Sequence, residues 1–387
     1  MIIRKMIYAA LLLAAQNTGE AGKADLKSNE VLSRRAEGPT GLKTFLEMHS
    51  EALARGDSNA KEALDGICAQ YDCKTSKLYW YTDLEAAKAR ARAEHKPILS
   101  LHLLGRLDEE LSCANSRFFR KLLYADGGIS GFLREHYVLH WKTVRPVPKV
   151  TIDFGDGRVL KQTVTGNSIH YVLDSEGRPI DAIPGLVSPK IFLASLSAAE
   201  SLARDLASLP SNRRESALKT WHQARIEETL AAWESDVRRL DPQAPPFKAD
   251  VPIRVAQLEK ASEGRWFSIG AQHSVEATIA PEVLRQIYPS LATAPTPWEA
   301  NRIATSKARV ETPLLRQLRS LYYTLAEDSV RNEYQLHRQI HLWLSSQQYI
   351  DVEVLNARVY PQLFLMPLDD PWYGFKPEFA YSALDGA

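Results

Sequence analysis

The sequence predicts an α/β fold in which a mixed sheet is covered by helices on both faces, preceded by a helical N-terminal appendage and followed by a mostly helical C-terminal region. Three observations carry this expectation. From Leu78 an alanine-rich helical stretch, DLEAAKARARAEHK, gives way to KPILSLHLL, an apolar run of strand character introduced by Pro97. A second helix-into-strand passage follows in ISGFLREHYVLHWKTV. SIHYVLDSEGRPIDAIPG then reads as two strands about the turn Ser175-Glu176-Gly177, and a helix from about Pro189 to Leu209 closes the unit. Alternating helices and strands of this kind bury both faces of a sheet.

A chain of 387 residues has room for two or three domains of ~100 to 200 residues. Its 45% hydrophobic and 25% charged residues are those of a folded globular protein. With 48 basic against 47 acidic side chains it lacks the broad positive field that nucleic acid requires, so that class of partner is set aside. Residues 1–24 place Arg4 and Lys5 before an apolar run from Met6 to Ala15, the order of a secretory signal. That run is too short to span a bilayer, which takes ~20 residues, and no later stretch is apolar enough to do so. The expectation is a periplasmic or secreted protein. No clean A-x-A cleavage site follows, so a buried N-terminal helix in a cytoplasmic protein is the alternative.

Residues 25–77 form the appendage, with GLKTFLEMHSEALARG and AKEALDGICAQ apolar at helical spacing. In CAQYDC, Cys68 and Cys73 pair if the chain is exported and stay reduced if it is not. No second pair of ligands follows at zinc-site spacing, which leaves Cys-x4-Cys a weak metal signal. Tyr79, Trp80 and Tyr81 read as anchors of a domain edge or, in the alternative, a carbohydrate platform. The α/β domain covers residues 78–209. Within it SRFFRKLLYADGG puts Phe118, Phe119, Leu122 and Leu123 on one helical face, and KVTIDFGDGRVLKQTV is a hairpin about Gly155, Asp156 and Gly157. Residues 210–387 are mostly helical: SALKTWHQARIEETLAAWESDVRRL is the clearest helix, DPQAPPFKADVP is a break, and helical stretches cover roughly 312–365. The tail, with Trp372, Tyr373 and Phe375, reads as an irregular strap packed onto the domain.

The order of these elements and the stretch ELSCANSRFF resemble the thioredoxin superfamily, especially bacterial thioredoxin-like proteins in which a strand opened by Lys-Pro is followed by Cys-x-x-Cys at a helix start. REHYV stands at the matching distance, so Cys113 falls on the first motif cysteine and Ser116 on the second. The resemblance covers about residues 78–205, a third of the chain. It implies a thioredoxin-like domain with Cys113 as nucleophile, Ser116 as its hydroxyl neighbour, a facing substrate loop at Asn167 and Ser168, a thiol substrate or protein partner, and no cofactor. Two departures limit it. Ser116 cannot close an intramolecular disulfide, so only monothiol chemistry remains. Asn167 and Ser168 stand where the family carries a cis-proline; a cis bond before a non-proline residue costs ~3 kcal/mol, so a trans bond and a reshaped groove are expected. GRLDEEL also adds residues before the motif, among them Asp108, Glu109 and Glu110.

Read from the residues, Ser112 would cap the helix and Cys113 would sit in its first turn, where free N–H groups favour a thiolate; Arg106 and Arg117 would help and the three acids would oppose it. The alternative is that Cys113 is a small buried apolar residue and Ser116 bonds to backbone. HRQIH sets His337 and His341 one turn apart, a spacing that can bind a metal; with no third ligand nearby in the chain, a partly buried helix face and no metal are expected. His102, His136, His140 and His170 lie on or beside strands, as structural histidines or as a base for Cys113. No Gly-x-Ser-x-Gly elbow, phosphate loop or dinucleotide fingerprint occurs. The expected function is a monothiol redox or thiol-capture role in the cell envelope, with a redox-inactive scaffold that binds a protein partner as the rival.

Overall fold

The computed structural model describes residues 29–163, 166–240, 242–243, 325–326, 328–346 and 350–373. The expected leader, most of the proline-rich break, the start of the 312–365 stretch and Phe375 lie outside the described residues. The chain divides into two compact units, residues 1–80 with 107–110, and residues 81–106 with 111–387.

The first unit is helical, as expected of the appendage. It holds α1 (residues 29–36), α2 (Pro39–Met48), α3 (Ser50–Arg55) and α4 (Ser58–Cys68). Gly56, at φ 82°, ends α3 in the left-handed conformation that glycine adopts without strain, and the Asp57 carboxylate caps α4 by accepting from Ala60 N–H at 2.8 Å. Leu42, Phe45, Leu53, Leu64 and Ile67 pack into a core that includes Cys68 and Cys73. These two cysteines are joined in a disulfide. Asp65 fixes the intervening loop by accepting from the N–H groups of Asp72 and Cys73, each at 2.8 Å. Trp80 is fully buried and its indole N–H donates to Gln70 Oε1 at 2.9 Å, while Tyr79 Oη–H donates to the Arg35 carbonyl at 2.7 Å. They anchor an edge; a carbohydrate platform is excluded for Trp80, whose ring reaches no solvent.

The second unit is built on a five-stranded mixed sheet in the order β1-β3-β2-β6-β7. In chain order it runs β1 (Trp80–Tyr81, at the boundary), α5 (Leu84–Glu94), β2 (Ile98–Leu104), α6 (Ala114–Phe118) continuing as a π-helical turn (Phe119–Leu123), α7 (Gly127–His136) and β3 (Val138–Arg145). A hairpin, β4 (Lys149–Asp153) with β5 (Val159–Thr163), forms a separate two-stranded sheet before β6 (Ser168–Leu173), β7 (Pro179–Pro184) and α8 (Pro189–Ser208). β2 pairs parallel with β3, Ile98 opposite Val138, and antiparallel with β6, Ile98 opposite Leu173. All of β2, β6 and β7 is buried, which is why ILSLHLL reads as a continuous apolar run. Each fully buried leucine in it, such as Leu99 or Leu101, contributes about 1.5–3 kcal/mol.

Beyond α8 come α9 (Ser211–Leu240), a π-helical turn (Asn332–His337), α10 (Arg338–Ser346) and α11 (Val352–Gln362). Residues beyond 210 were expected as a region apart from the 78–209 domain; those described fall in the same compact unit as the sheet. The cause is the apolar face of α10, whose Ile340, Trp343 and Leu344 are buried where that helix packs on α9 and β7. The strap reading of the tail holds for the part described. Arg145 lies 3.5 Å over the Tyr373 ring and donates to the Asp370 carbonyl at 2.9 Å, and Tyr373 Oη–H donates to the Pro146 carbonyl at 2.5 Å. Trp372 is exposed. Among the described residues no helix is long and apolar enough to cross a membrane.

Candidate functional site

Cys113 stands where β2 hands over to α6. Its N–H donates back to the Leu104 carbonyl at 3.2 Å, and the residue itself, not Ser112, is the N-cap: α6 starts at Ala114, and Cys113 Sγ accepts from Ser116 N–H at 3.4 Å. This corrects the placement of Cys113 in the first turn. Ser112 turns its hydroxyl instead into a buried chain of hydrogen bonds, accepting from Ser116 Oγ–H at 2.7 Å and from the Arg120 guanidinium at 3.3 Å. Cys113 Sγ–H donates to Ser116 Oγ at 3.4 Å, which links the sulfur to that chain. The sulfur is sealed: Cys113 and Ser116 are both 0% exposed. Tyr124 and Tyr360 lie within electrostatic reach of Cys113, and burial first, with Cys113 adding to it, pushes both phenols well above their ordinary range.

The facing loop meets this helix tip. A Cβ on Gly166 would stand 2.9 Å from Asn115 Oδ1 and 3.2 Å from the Ala114 side chain, so the loop backbone approaches the start of α6 as only glycine permits. The Asn167–Ser168 bond is trans. The two side chains then part company. Ser168 is fully buried at the head of β6, whereas Asn167 faces the C-terminal segment, donating from Nδ2 to Met366 Sδ at 3.8 Å and accepting at its carbonyl from Tyr360 Oη–H at 3.5 Å. Residues of α11 and the turn after it therefore contact this loop. Asp108, Glu109 and Glu110 belong to the first unit.

No family model, curated protein or solved structure matches this chain.

None of the four strand-side histidines hydrogen-bonds the sulfur. His170 Nε2 pairs with Tyr124 Oη at 2.6 Å, His140 Nδ1 pairs with Ser100 Oγ at 2.8 Å, His102 meets Tyr171 edge-on at 4.8 Å between centroids, and His136 stacks on Phe132 at 4.3 Å. Burial drives His102, His140 and His170 down to about 3, so they are neutral at physiological pH.

The other two histidines singled out from the sequence, His337 and His341, come together at a carboxylate that no motif pointed to. His337 Nε2 lies 2.9 Å from Asp181 Oδ1, and His341 Nδ1 lies 3.7 Å from the same oxygen. A fourth group, His222 on α9, brings its Nδ1 to 2.9 Å from Nδ1 of His341. The one signal in the sequence was the one-turn spacing of His337 and His341. Asp181 and His222 carry no local pattern, since their partners lie far away along the chain.

Proposed function

We propose that this chain is a thioredoxin-like scaffold of the cell envelope, whose motif sulfur is structural and whose activity is to bind a protein partner. The mixed sheet, the helix leaving β2 with Cys113 at its cap, and the loop 166–168 against that cap support the thioredoxin-like reading. The Cys68–Cys73 disulfide and the leader support an oxidising compartment, where such bonds persist. The observation that carries the choice between scaffold and redox protein is the sealing of the Cys113 sulfur, because a thiol must reach solvent to attack a disulfide. The partner surface is the β4–β5 hairpin. Val150, Ile152 and Leu160 project from one of its faces at 42%, 46% and 39% exposure, with Phe154 beyond them at 53%, and exposed apolar side chains grouped in this way mark interaction sites.

A monothiol redox or thiol-capture role is the second reading. It is favoured by the Ser116 N–H and hydroxyl, both 3.4 Å from Sγ, which would hold a thiolate once the cover lifts. One experiment separates the two. With Cys68 and Cys73 bonded, Cys113 is the free thiol, so iodoacetamide labelling of the native protein reads it directly. The scaffold reading expects labelling only after denaturant is added. Rapid labelling of the native protein near pH ~6, with a mixed disulfide trapped in cell extract and lost in Cys113→Ala, would overturn it.

A further inference from the structure

We propose that Asp181, His222, His337 and His341 form a closed binding site for one divalent transition-metal ion, Zn2+ in the first place, which ties α9 and α10 to the edge of the sheet. The site is remote from the thiol and independent of the function proposed above.

Its four groups come from three parts of the fold: Asp181 from β7, the last strand of the sheet; His222 from α9; and His337 and His341 from the end of the π-helical turn and the first turn of α10. All are withdrawn from water, with side-chain exposures of 1% for Asp181, 5% for His341 and 13% for His337, and His222 is 0% exposed as a residue. Burying a carboxylate and three imidazoles together is unfavourable unless they share a purpose, since each gives up its hydration. Their donor atoms converge. Those of Asp181, His337 and His341 lie within 4.8 Å of one another, and Nδ1 of His341 faces both Asp181 Oδ1 at 3.7 Å and His222 Nδ1 at 2.9 Å.

The spacing fits a tetrahedral ion. Ligands bonded at zinc distances stand about 3.3–3.4 Å apart, and three contacts along the chain His337–Asp181–His341–His222, of 2.9 Å, 3.7 Å and 2.9 Å, bracket that value. Asp181, His337 and His341 supply the converging donors, and His222, which reaches them through His341, has to close in to complete the shell. The pairing of His222 with His341 is the telling one: two like nitrogens face each other, so without an ion a single proton has to lie between them, whereas an ion takes both lone pairs. An outer contact is in place as well, the Ala182 N–H donating to Asp181 Oδ1 at 2.8 Å and fixing the carboxylate. Burial, chiefly, holds His222 and His341 below their ordinary range, and against its own burial Asp181 is held low by His337 and its neighbours, so these three already have the protonation a metal needs. Three imidazoles with one carboxylate suit Zn2+ and its transition-metal neighbours and not Ca2+ or Mg2+, which take oxygen-rich shells. With His222 drawn in as the fourth ligand no position is left open, so the ion is structural. On binding, the ring that holds the proton between His222 and His341 changes tautomer and carries it on Nε2 instead, and the second proton of a charged His337 passes to solvent.

The test uses the full chain, stripped with a chelator and then titrated with Zn2+ or Co2+ alone. The expected result is one ion per chain, a tetrahedral Co2+ absorption spectrum displaced by Zn2+, and a higher melting temperature with Zn2+. Asp181→Asn and His341→Gln should each weaken binding roughly a hundredfold or more, while His136→Gln on α7 should leave it unchanged. The parent chain alone decides the matter if a variant does not fold: substoichiometric uptake, or a Co2+ spectrum of an octahedral aquo type, overturns the site. Folded Asp181→Asn and His341→Gln variants that bind like the parent overturn it too.

Discussion

Three histidines set the acid limit of the fold. His102, His140 and His170, driven by burial from 6.5 to about 3, refuse protons that they accept in the unfolded chain. Their stabilising contribution is therefore complete above pH 6.5 and is lost as pH falls from there towards 3, by up to about 1.4 kcal/mol per pH unit for each. Urea unfolding at a series of pH values should show this fall, and His140→Gln should make it shallower by one group; an identical slope in the variant would exclude His140 as a contributor. Cys113→Ala removes the cap of α6 and should cost about 1 kcal/mol, whereas Cys113→Ser, which keeps an acceptor there, should cost less. The sequence marked Cys113 as the residue to watch and left two readings of it open. Its burial was not legible, because a neighbour such as Tyr360 comes to it from a distant part of the chain.

Among the elements, the hairpin was the most plainly written, with turn residues at 155–157 between two alternating stretches, and it forms with Val150 opposite Gln162 and Ile152 opposite Leu160. Replacing both Ile152 and Leu160 with serine should abolish association through this face and change stability by about 0.5 kcal/mol each, because both residues lie at the surface. An unchanged affinity for a partner, once one is isolated, would remove the hairpin from the interface. β2 was equally legible, since a strand buried on both faces is mostly apolar, with Ser100 and His102 as its polar members. The helix after Cys113 was legible as a helix but not as a five-residue α-helical turn passing into a π-helical one, from which Arg120 reaches back to Ser112. The cap was misplaced by one residue for a related reason: serine is the better capping residue by composition, yet Ser112 is engaged by Ser116 and Arg120.

At the scale of the whole chain, the order of elements from Leu78 to Leu209 could be read directly, and their assembly with the C-terminal helices could not. Nothing in HRQIH names Asp181 as its counterpart, and amphipathic faces say that α10 must be covered without saying by what. The two units should also differ in their response to reductant. Opening Cys68–Cys73 frees a short loop, worth about 2 kcal/mol of unfolded-state entropy, so dithiothreitol should lower the stability of the first unit by that amount and leave the second unchanged. Separate probes, Trp80 fluorescence for the first and Trp233 or Trp343 for the second, would follow each; a loss shared equally by both would show that they unfold together. The sealed sulfur has a consequence of its own. A bulky aromatic disulfide reagent can exchange with Cys113 only during excursions that open its surroundings, and Tyr360→Ala, which removes a neighbour contributed by α11, should make these more frequent. The ratio of that exchange rate to the rate in the unfolded chain converts into the free energy of the excursion. The chain thus carries a built-in reporter on how firmly the surroundings of this helix tip are held.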